Sequence, residues 1–222
     1  MIVVEEADIQ GSDPLSTPVG LIADSHGNAS VLLKAIKALA ENMASSLVHL
    51  GDFFDSVYNE NLMEVMMLLQ RYHVLAVKGN NDYQVEKMLD NSVPGNSDGQ
   101  GDSCLAFLKK TPLLYKAGNA TFSHSMPYGS IRSFYEPIDT GSTERAEEIF
   151  ENTNGHVFFC GHSHRPVLFR YKSGKTTREE IVSGGRIAIK SGERYIFIVG
   201  SAENGECGIY EPTQSYYERI TF

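Results

Sequence analysis

Two aspartates, four histidines and an asparagine that could hold metal stand in five short motifs along this chain. They are Asp24-Ser25-His26, Gly51-Asp52, Gly79-Asn80-Asn81-Asp82, Ser123-His124 and Gly161-His162-Ser163-His164. Carboxylate, imidazole and amide oxygen are the donor types that suit borderline divalent ions such as manganese, iron, nickel or zinc. No cysteine lies in a motif, which argues against a structural thiolate zinc site. The donors Asp24, His26, Asp52, Asn80, His124, His162 and His164 are too many for one catalytic ion, and suit two if one carboxylate bridges. Two divalent ions, two aspartates and a bridging hydroxide leave a local charge of roughly +1, an attractor for a small phosphate ester. Ions about 3.5–4 Å apart lower the pKa of a shared water and neutralise phosphoryl oxygens.

The elements around the motifs are read from hydrophobic pattern. Val19–Asp24 is a short apolar run ending in a carboxylate, which predicts a buried strand. Leu32, Ala35, Ile36, Leu39 and Met43 follow at helical spacing, with Asn28 or Ser30 available as cap. Leu47–Leu50 predicts a second strand, 60–71 a helix with Met63, Met66 and Met67 in its core face, and His73–Val77 a third strand. Strands are also expected at Ala120–Ser123, Val157–Cys160, Val167–Tyr171, Ile187–Lys190, Tyr195–Val199 and Cys207–Tyr210, and helices at Ser103–Lys110 and 143–152. Residues 91–103 read as a loop, either a lid or a passive insertion, and 125–142 as irregular. Alternating strand and helix implies a largely parallel sheet in the first half, and the strand-rich second half implies another sheet packed on it. Each motif then falls just past the carboxyl end of a strand, where open α/β sheets place their ligand crevices.

In order and placement, these five motifs resemble the calcineurin-like metallophosphoesterase superfamily, over roughly residues 19–172. Within it the compact size is similar to the small prokaryotic phosphodiesterases of the YfcE type. The resemblance implies an α/β fold, a four-layer αββα sandwich of two mixed β-sheets flanked by helices. It implies one ion held by Asp24, His26, Asp52 and His164 and a second by Asp52, Asn80, His124 and His162. Manganese is the expected metal, with iron, nickel or zinc as alternatives.

One position departs from the superfamily's commonest pattern. Its third motif has a histidine after the asparagine, where this chain has Asn81. The resemblance implies that this histidine protonates the leaving oxygen, oriented by an aspartate at the place of Asp55. Asn81 donates a hydrogen bond but is no general acid near neutral pH. Acid catalysis contributes about 10²–10⁴-fold, so substrates with good leaving groups suffer least without it, and phosphodiesters are the expected class. The arginine of the protein phosphatase branch is replaced by Ser56, which weakens that reading. Asn80, Asn81 and Arg165 are the candidate substrate contacts; for Arg132 a surface ion pair is favoured. Asp82 is read as either a support to the site or a plain loop residue. Tyr128, Phe134 and Tyr135 either line an aryl pocket or pack their loop, and His49, His73 and His156 read as ordinary sheet residues.

The chain has 222 residues, 41% hydrophobic and 21% charged, with a net charge of −9. Residues 1–222 are expected to form one domain, with 1–18 as an N-terminal extension in which Ile2–Val4 could add an edge strand. The acidic balance argues against broad nucleic-acid binding and against an anionic membrane surface. No apolar run is long enough to span a bilayer. Cys104, Cys160 and Cys207 form no close pair and read as reduced, consistent with a cytoplasmic protein. A homo-oligomer is left open. Two rivals stand beside the diesterase: a phosphomonoesterase or nucleotide pyrophosphohydrolase with the same metals, and a non-catalytic interaction module that keeps the fold without the chemistry.

Overall fold

A computed structural model describes residues 6–8, 17–58, 61–91 and 99–222. In chain order the strands are β1 (Glu6–Asp8), β2 (Val19–Ile22), β3 (Ser46–His49), β4 (Leu75–Ala76), β5 (Leu114–Ala117), β6 (Ala120–Ser123), β7 (Val157–Cys160), β8 (Val167–Lys172), β9 (Lys175–Glu180), β10 (Arg186–Ala188), β11 (Arg194–Ile198), β12 (Glu206–Glu211) and β13 (Tyr216–Thr221). The helices are α1 (Ala29–Glu41), α2 (Leu62–Arg71), α3 (Asn80–Asp90), α4 (Gln100–Lys110), α5 (Arg132–Tyr135) and α6 (Glu144–Asn152).

The strands form two mixed sheets, one of order β1-β5-β6-β7-β11-β8-β9 and one of order β10-β13-β12-β2-β3-β4. Alternation along the strands explains why the sheets stack. Val19 and Leu21 of β2, with Val48 of β3, face Phe122, Phe159, Tyr195 and Phe197 of the other sheet in one apolar layer. The residues one step out of phase turn the opposite way. Ile22 joins Leu32, Ile36, Leu39, Val65 and Leu69 under α1 and α2. Phe158, Ile196 and Ile198 pack under α6 with Ile149 and Phe150. Three apolar layers separate four structural layers, the αββα sandwich. Each fully buried aliphatic or aromatic side chain contributes about 1.5–3 kcal/mol to holding them together.

Local signals account for most of the elements. Asn28 caps α1, its Oδ1 accepting from the Val31 amide at 3.1 Å. The Met cluster divides: Met66 is buried in the α2 face, whereas Met67 is 58% exposed, so Met67 is not a core residue. The third motif is not a loop, because Asn80 and Asn81 open α3 directly after the extended Gly79. Helix α4 begins at Gln100, inside the stretch expected as a loop, and the rest of that stretch at 92–98 lies outside the described residues, as does Ile2–Val4. Strands β5, β9 and β13 and the short helix α5 go beyond the sequence expectation, and β10 sits slightly earlier than expected. β9 (Lys-Thr-Thr-Arg-Glu-Glu) is a polar edge strand, so it lacks an apolar signature.

Candidate metal centre

The carboxyl ends of β2, β3, β6 and β7 meet at one edge of the sandwich and carry four of the five motifs there. The parallel pairs β2–β3 and β6–β7 aim their following loops the same way. The third motif enters from α3. At the base of the cluster, the Asp24 amide bonds to the Gly51 carbonyl at 3.1 Å, and the Gly161 amide to the His124 carbonyl at 3.0 Å. Each bond ties two loops within one sheet, and the sheets are joined by the His162 amide donating to Asp24 Oδ2 at 2.9 Å and by His124 Nδ1 at 2.8 Å from the Leu50 carbonyl.

The seven expected donors come together in two groups. On one side, His26 Nε2 lies 3.1 Å from His164 Nε2. Asp24 Oδ1 stands 3.4 Å from His164 Nε2 and 3.9 Å from His26 Nε2. On the other side, Asn80 Oδ1 is 3.1 Å from His124 Nε2 and 3.0 Å from His162 Nδ1, and the two ring nitrogens are 3.1 Å apart. Asp52 Oδ2 is 3.5 Å from His124 Nε2, and Asp52 also clusters with Asp24, which places it between the groups. A triangle of donors with edges near 3 Å is one face of an octahedron whose bonds are roughly 2.1 Å, an ordinary length to a divalent ion.

The chemistry of the donors fits a cation. Asp24 Oδ1 is buried with no hydrogen-bond partner among the described residues. Asn80 Oδ1 faces both rings and the Phe134 carbonyl, all of them lone-pair bearers when the rings ligate; hydrogen bonding alone would favour Nδ2 in that place, at 3.0 Å from the Phe134 carbonyl. The Leu50 carbonyl, which can only accept, sits 2.8 Å from His124 Nδ1. In the neutral ring the proton is therefore on Nδ1, which leaves the Nε2 lone pair for the cluster. Burial, with His124 beside it, pushes His162 down to about 4, so its ring is neutral at pH 7. Burial pushes the Asp24 carboxyl up, but His164, His124 and His26 overcome it and hold it below the ordinary aspartate value.

Glycine is required where donors press against backbone. A Cβ on Gly79 would lie 2.1 Å from Asp52 Oδ1, and one on Gly161 would lie 2.5 Å from Asp24 Oδ2. The donor residues themselves adopt unusual backbone. Asp24, His26, Asp52, His162 and His164 have φ of 53°, 42°, 54°, 68° and 53° respectively, in the left-handed region. Such conformations concentrate at functional sites because surrounding contacts must hold them.

The residues around the donors sort themselves by their partners. Asp82 is a support: its Oδ2 accepts from the Asp52 and Gly79 amides, both at 2.8 Å, and its Oδ1 from the Phe54 amide at 2.9 Å. Burial and the Asp52 carboxylate push Asp82 up to about 8. Asn81 is tied on both sides. Its Nδ2 donates to Asp52 Oδ2 at 2.8 Å, and its Oδ1 accepts from Ser56 Oγ at 2.6 Å. Asp55 turns onto its own loop, its Oδ1 accepting from the Val57 and Tyr58 amides at 2.6 and 3.0 Å. Arg132 is held by Glu136 and Glu148, and exposed Arg165 faces Glu180 at 3.7 Å. Phe134 is buried and stacks on Tyr83 at 4.9 Å, so it packs its segment, while Tyr135 is partly exposed and bonds to Gln84.

His49 was not among the expected site residues, yet it supports the first motif. It is wholly buried on β3, its Nε2 3.0 Å from Ser25 Oγ, and burial pushes it down to about 3. The sequence signal was its place three residues before Asp52, at the inner end of the strand.

Two stacked mixed sheets with candidate metal-holding groups gathered at the strand ends define an α/β sandwich with its site at one edge. The profile of the calcineurin-like phosphoesterase superfamily domain matches residues 18–204, and the chain belongs to that superfamily of metal-dependent phosphoester hydrolases. Among solved structures, a metallophosphoesterase from Sphaerobacter thermophilus is similar at TM-score 0.72 and 20% identity, over 93% of this chain and 89% of that one. A putative diadenosine tetraphosphatase is similar at TM-score 0.53 and 16% identity, over 93% and 95%. A novel archaeal phosphodiesterase is similar at TM-score 0.50 and 12% identity, over 92% and 99%. At these identities the likeness concerns the fold. A search of curated proteins finds no match to the chain. No helix among the described residues is long and apolar enough to cross a membrane.

Proposed function

We propose that this chain is a dinuclear metal-dependent phosphoesterase that prefers small phosphodiesters. Asp24, His26, Asp52 and His164 would hold one ion, and Asp52, Asn80, His124 and His162 the other. The carrying observation is the pair of donor groups, each closed to 3.0–3.9 Å, with Asp52 between them. When bound, two such ions supply an activated water and neutralise phosphoryl charge. The protein's own part is orientation: the Leu50 carbonyl keeps the proton on His124 Nδ1, and Asp82 fixes the backbone that carries Asp52.

The preference for diesters rests on Asn81. Its amide is spent on Asp52 and Ser56 and carries no ionisable proton, and Asp55 is committed to its own loop. Neither side chain is placed to protonate a poor leaving group. The complete donor set favours an enzyme over a non-catalytic module.

The test is a manganese-reconstituted panel of aryl diesters, aryl monoesters, cyclic nucleotides and dinucleoside polyphosphates. The expected result is turnover of diesters well above monoesters, with Asn81→His narrowing that ratio. Equal turnover of both classes, or a ratio unmoved by Asn81→His, refutes the diester preference. A protein that takes up no metal and hydrolyses nothing returns the reading to an interaction module.

A further inference from the structure

The connection from β11 to β12 crosses from one sheet to the other directly beside Asp24. Ser201, fully buried in that connection, donates from Oγ to the Asp24 carbonyl at 2.9 Å and accepts from the Glu203 amide at 3.2 Å. The next residue repeats the tie, with the Ala202 amide 2.8 Å from the Ala23 carbonyl. Ser201 is itself braced. Its amide donates to Glu206 Oε2 at 3.2 Å, and the other oxygen of Glu206 is paired with Arg219, whose second nitrogen donates to the Ile181 carbonyl at 2.6 Å. The same connection reaches a second donor residue, because Asn204 Nδ2 lies 3.4 Å from the His164 carbonyl.

The bond meets Asp24 where its backbone is least comfortable. Asp24 has φ of 53°, a conformation whose cost for a residue with a Cβ is of the same order as one buried hydrogen bond. Relaxing that φ would swing the carboxylate away from His26 and His164. We propose that Ser201, braced by Glu206 and Arg219, is a positioning residue that sets the affinity of the ion on the Asp24 side. This rests on the two-ion reading above. Ser201 touches no donor atom, so its influence runs through the backbone of Asp24 and, by way of Asn204, of His164. None of the five motifs contains it, and it lies 177 residues from Asp24 in sequence.

The test is calorimetric titration of metal-stripped protein with manganese, comparing wild type, Ser201→Ala, Ser201→Thr and Glu206→Gln, with His164→Ala marking the Asp24-side event. Ser201→Ala is expected to weaken that event by about tenfold or more while the other stays within twofold, the usual size of effect from a group that orients a ligand. Ser201→Thr keeps the hydroxyl and should recover most of the loss. Glu206→Gln should weaken the same event several-fold, and it carries the test if Ser201→Ala does not fold. Equal weakening of both events would show a merely structural role and overturn the inference, as would no change in either. Wild-type protein that takes up no manganese overturns the two-ion reading, and this inference with it.

Discussion

Replacing Asp82 by asparagine exchanges one oxygen for an NH2 group and leaves the shape almost unchanged. Asp82 Oδ2 accepts from the Asp52 and Gly79 amides and Oδ1 from the Phe54 amide, at 2.8–2.9 Å and all in the interior. Its raised pKa, about 8, does not disturb this, because a carboxylic acid oxygen still accepts a hydrogen bond. An NH2 group accepts none. In the better of its two orientations, Asp82→Asn sets that group against the Phe54 amide alone, and in the other against two amides. One buried amide without a partner costs about 1–3 kcal/mol. For a chain of this size, that lowers Tm by roughly 2–12 °C. The lost tie to Phe54, two residues after Asp52 on the same loop, should also weaken manganese uptake by about tenfold. Urea unfolding in chelator reads the first effect and calorimetric titration the second. A variant within about 0.5 kcal/mol of wild type, with unchanged manganese affinity, would refute the claim that Asp82 braces the loop carrying Asp52.

Two further outcomes follow from buried groups near the centre. His49 titrates near 6.5 when unfolded and at about 3 when folded, so the unfolded chain gains its proton first as pH falls. Its contribution to stability is whole above about pH 6.5 and is lost progressively toward pH 3, by up to roughly 4 kcal/mol. His49→Gln should therefore lose less stability than wild type between pH 6.5 and 4.5 in chelator; parallel urea midpoints across that range would contradict it. Gly161→Ala places a Cβ 2.5 Å from Asp24 Oδ2 and should cost about 1–3 kcal/mol by overpacking, with a marked loss of manganese affinity. Wild-type affinity in that variant would mean that the Asp24 carboxylate is free to shift.

The gathering of the seven candidate donors was legible because each sits beside a glycine, a serine or a strand end, and those signals are local. The sandwich was legible from runs such as Val157–Cys160 and Tyr195–Val199, whose apolar residues must face two layers. What escaped has no local signature. Asn80-Asn81-Asp82 looks like a turn, and it opens a helix because Asp82 reaches back to the Gly79 amide. β9 is short on apolar residues, β13 interrupts Tyr217 and Ile220 with Glu218 and Arg219, and both are recruited by pairing with β8 and β12. The ties of Asn81 to Ser56, Asp82 to Phe54, His49 to Ser25 and Ser201 to Asp24 span 24 to 177 residues, so no window of sequence contains them.

Five of the seven donor residues hold left-handed backbone, and the remaining two, Asn80 and His124, do not. At on the order of 1 kcal/mol each, this conformational cost amounts to several kcal/mol, a sizeable share of what keeps a domain folded. Glycine would be more comfortable than aspartate or histidine at every one of those positions. A directed-evolution campaign that selects for heat resistance alone would therefore be drawn toward them, removing donors one at a time while the melting temperature rises. Stability screening of this fold needs metal uptake as a second selection, or the scaffold it delivers will be sturdier and inert.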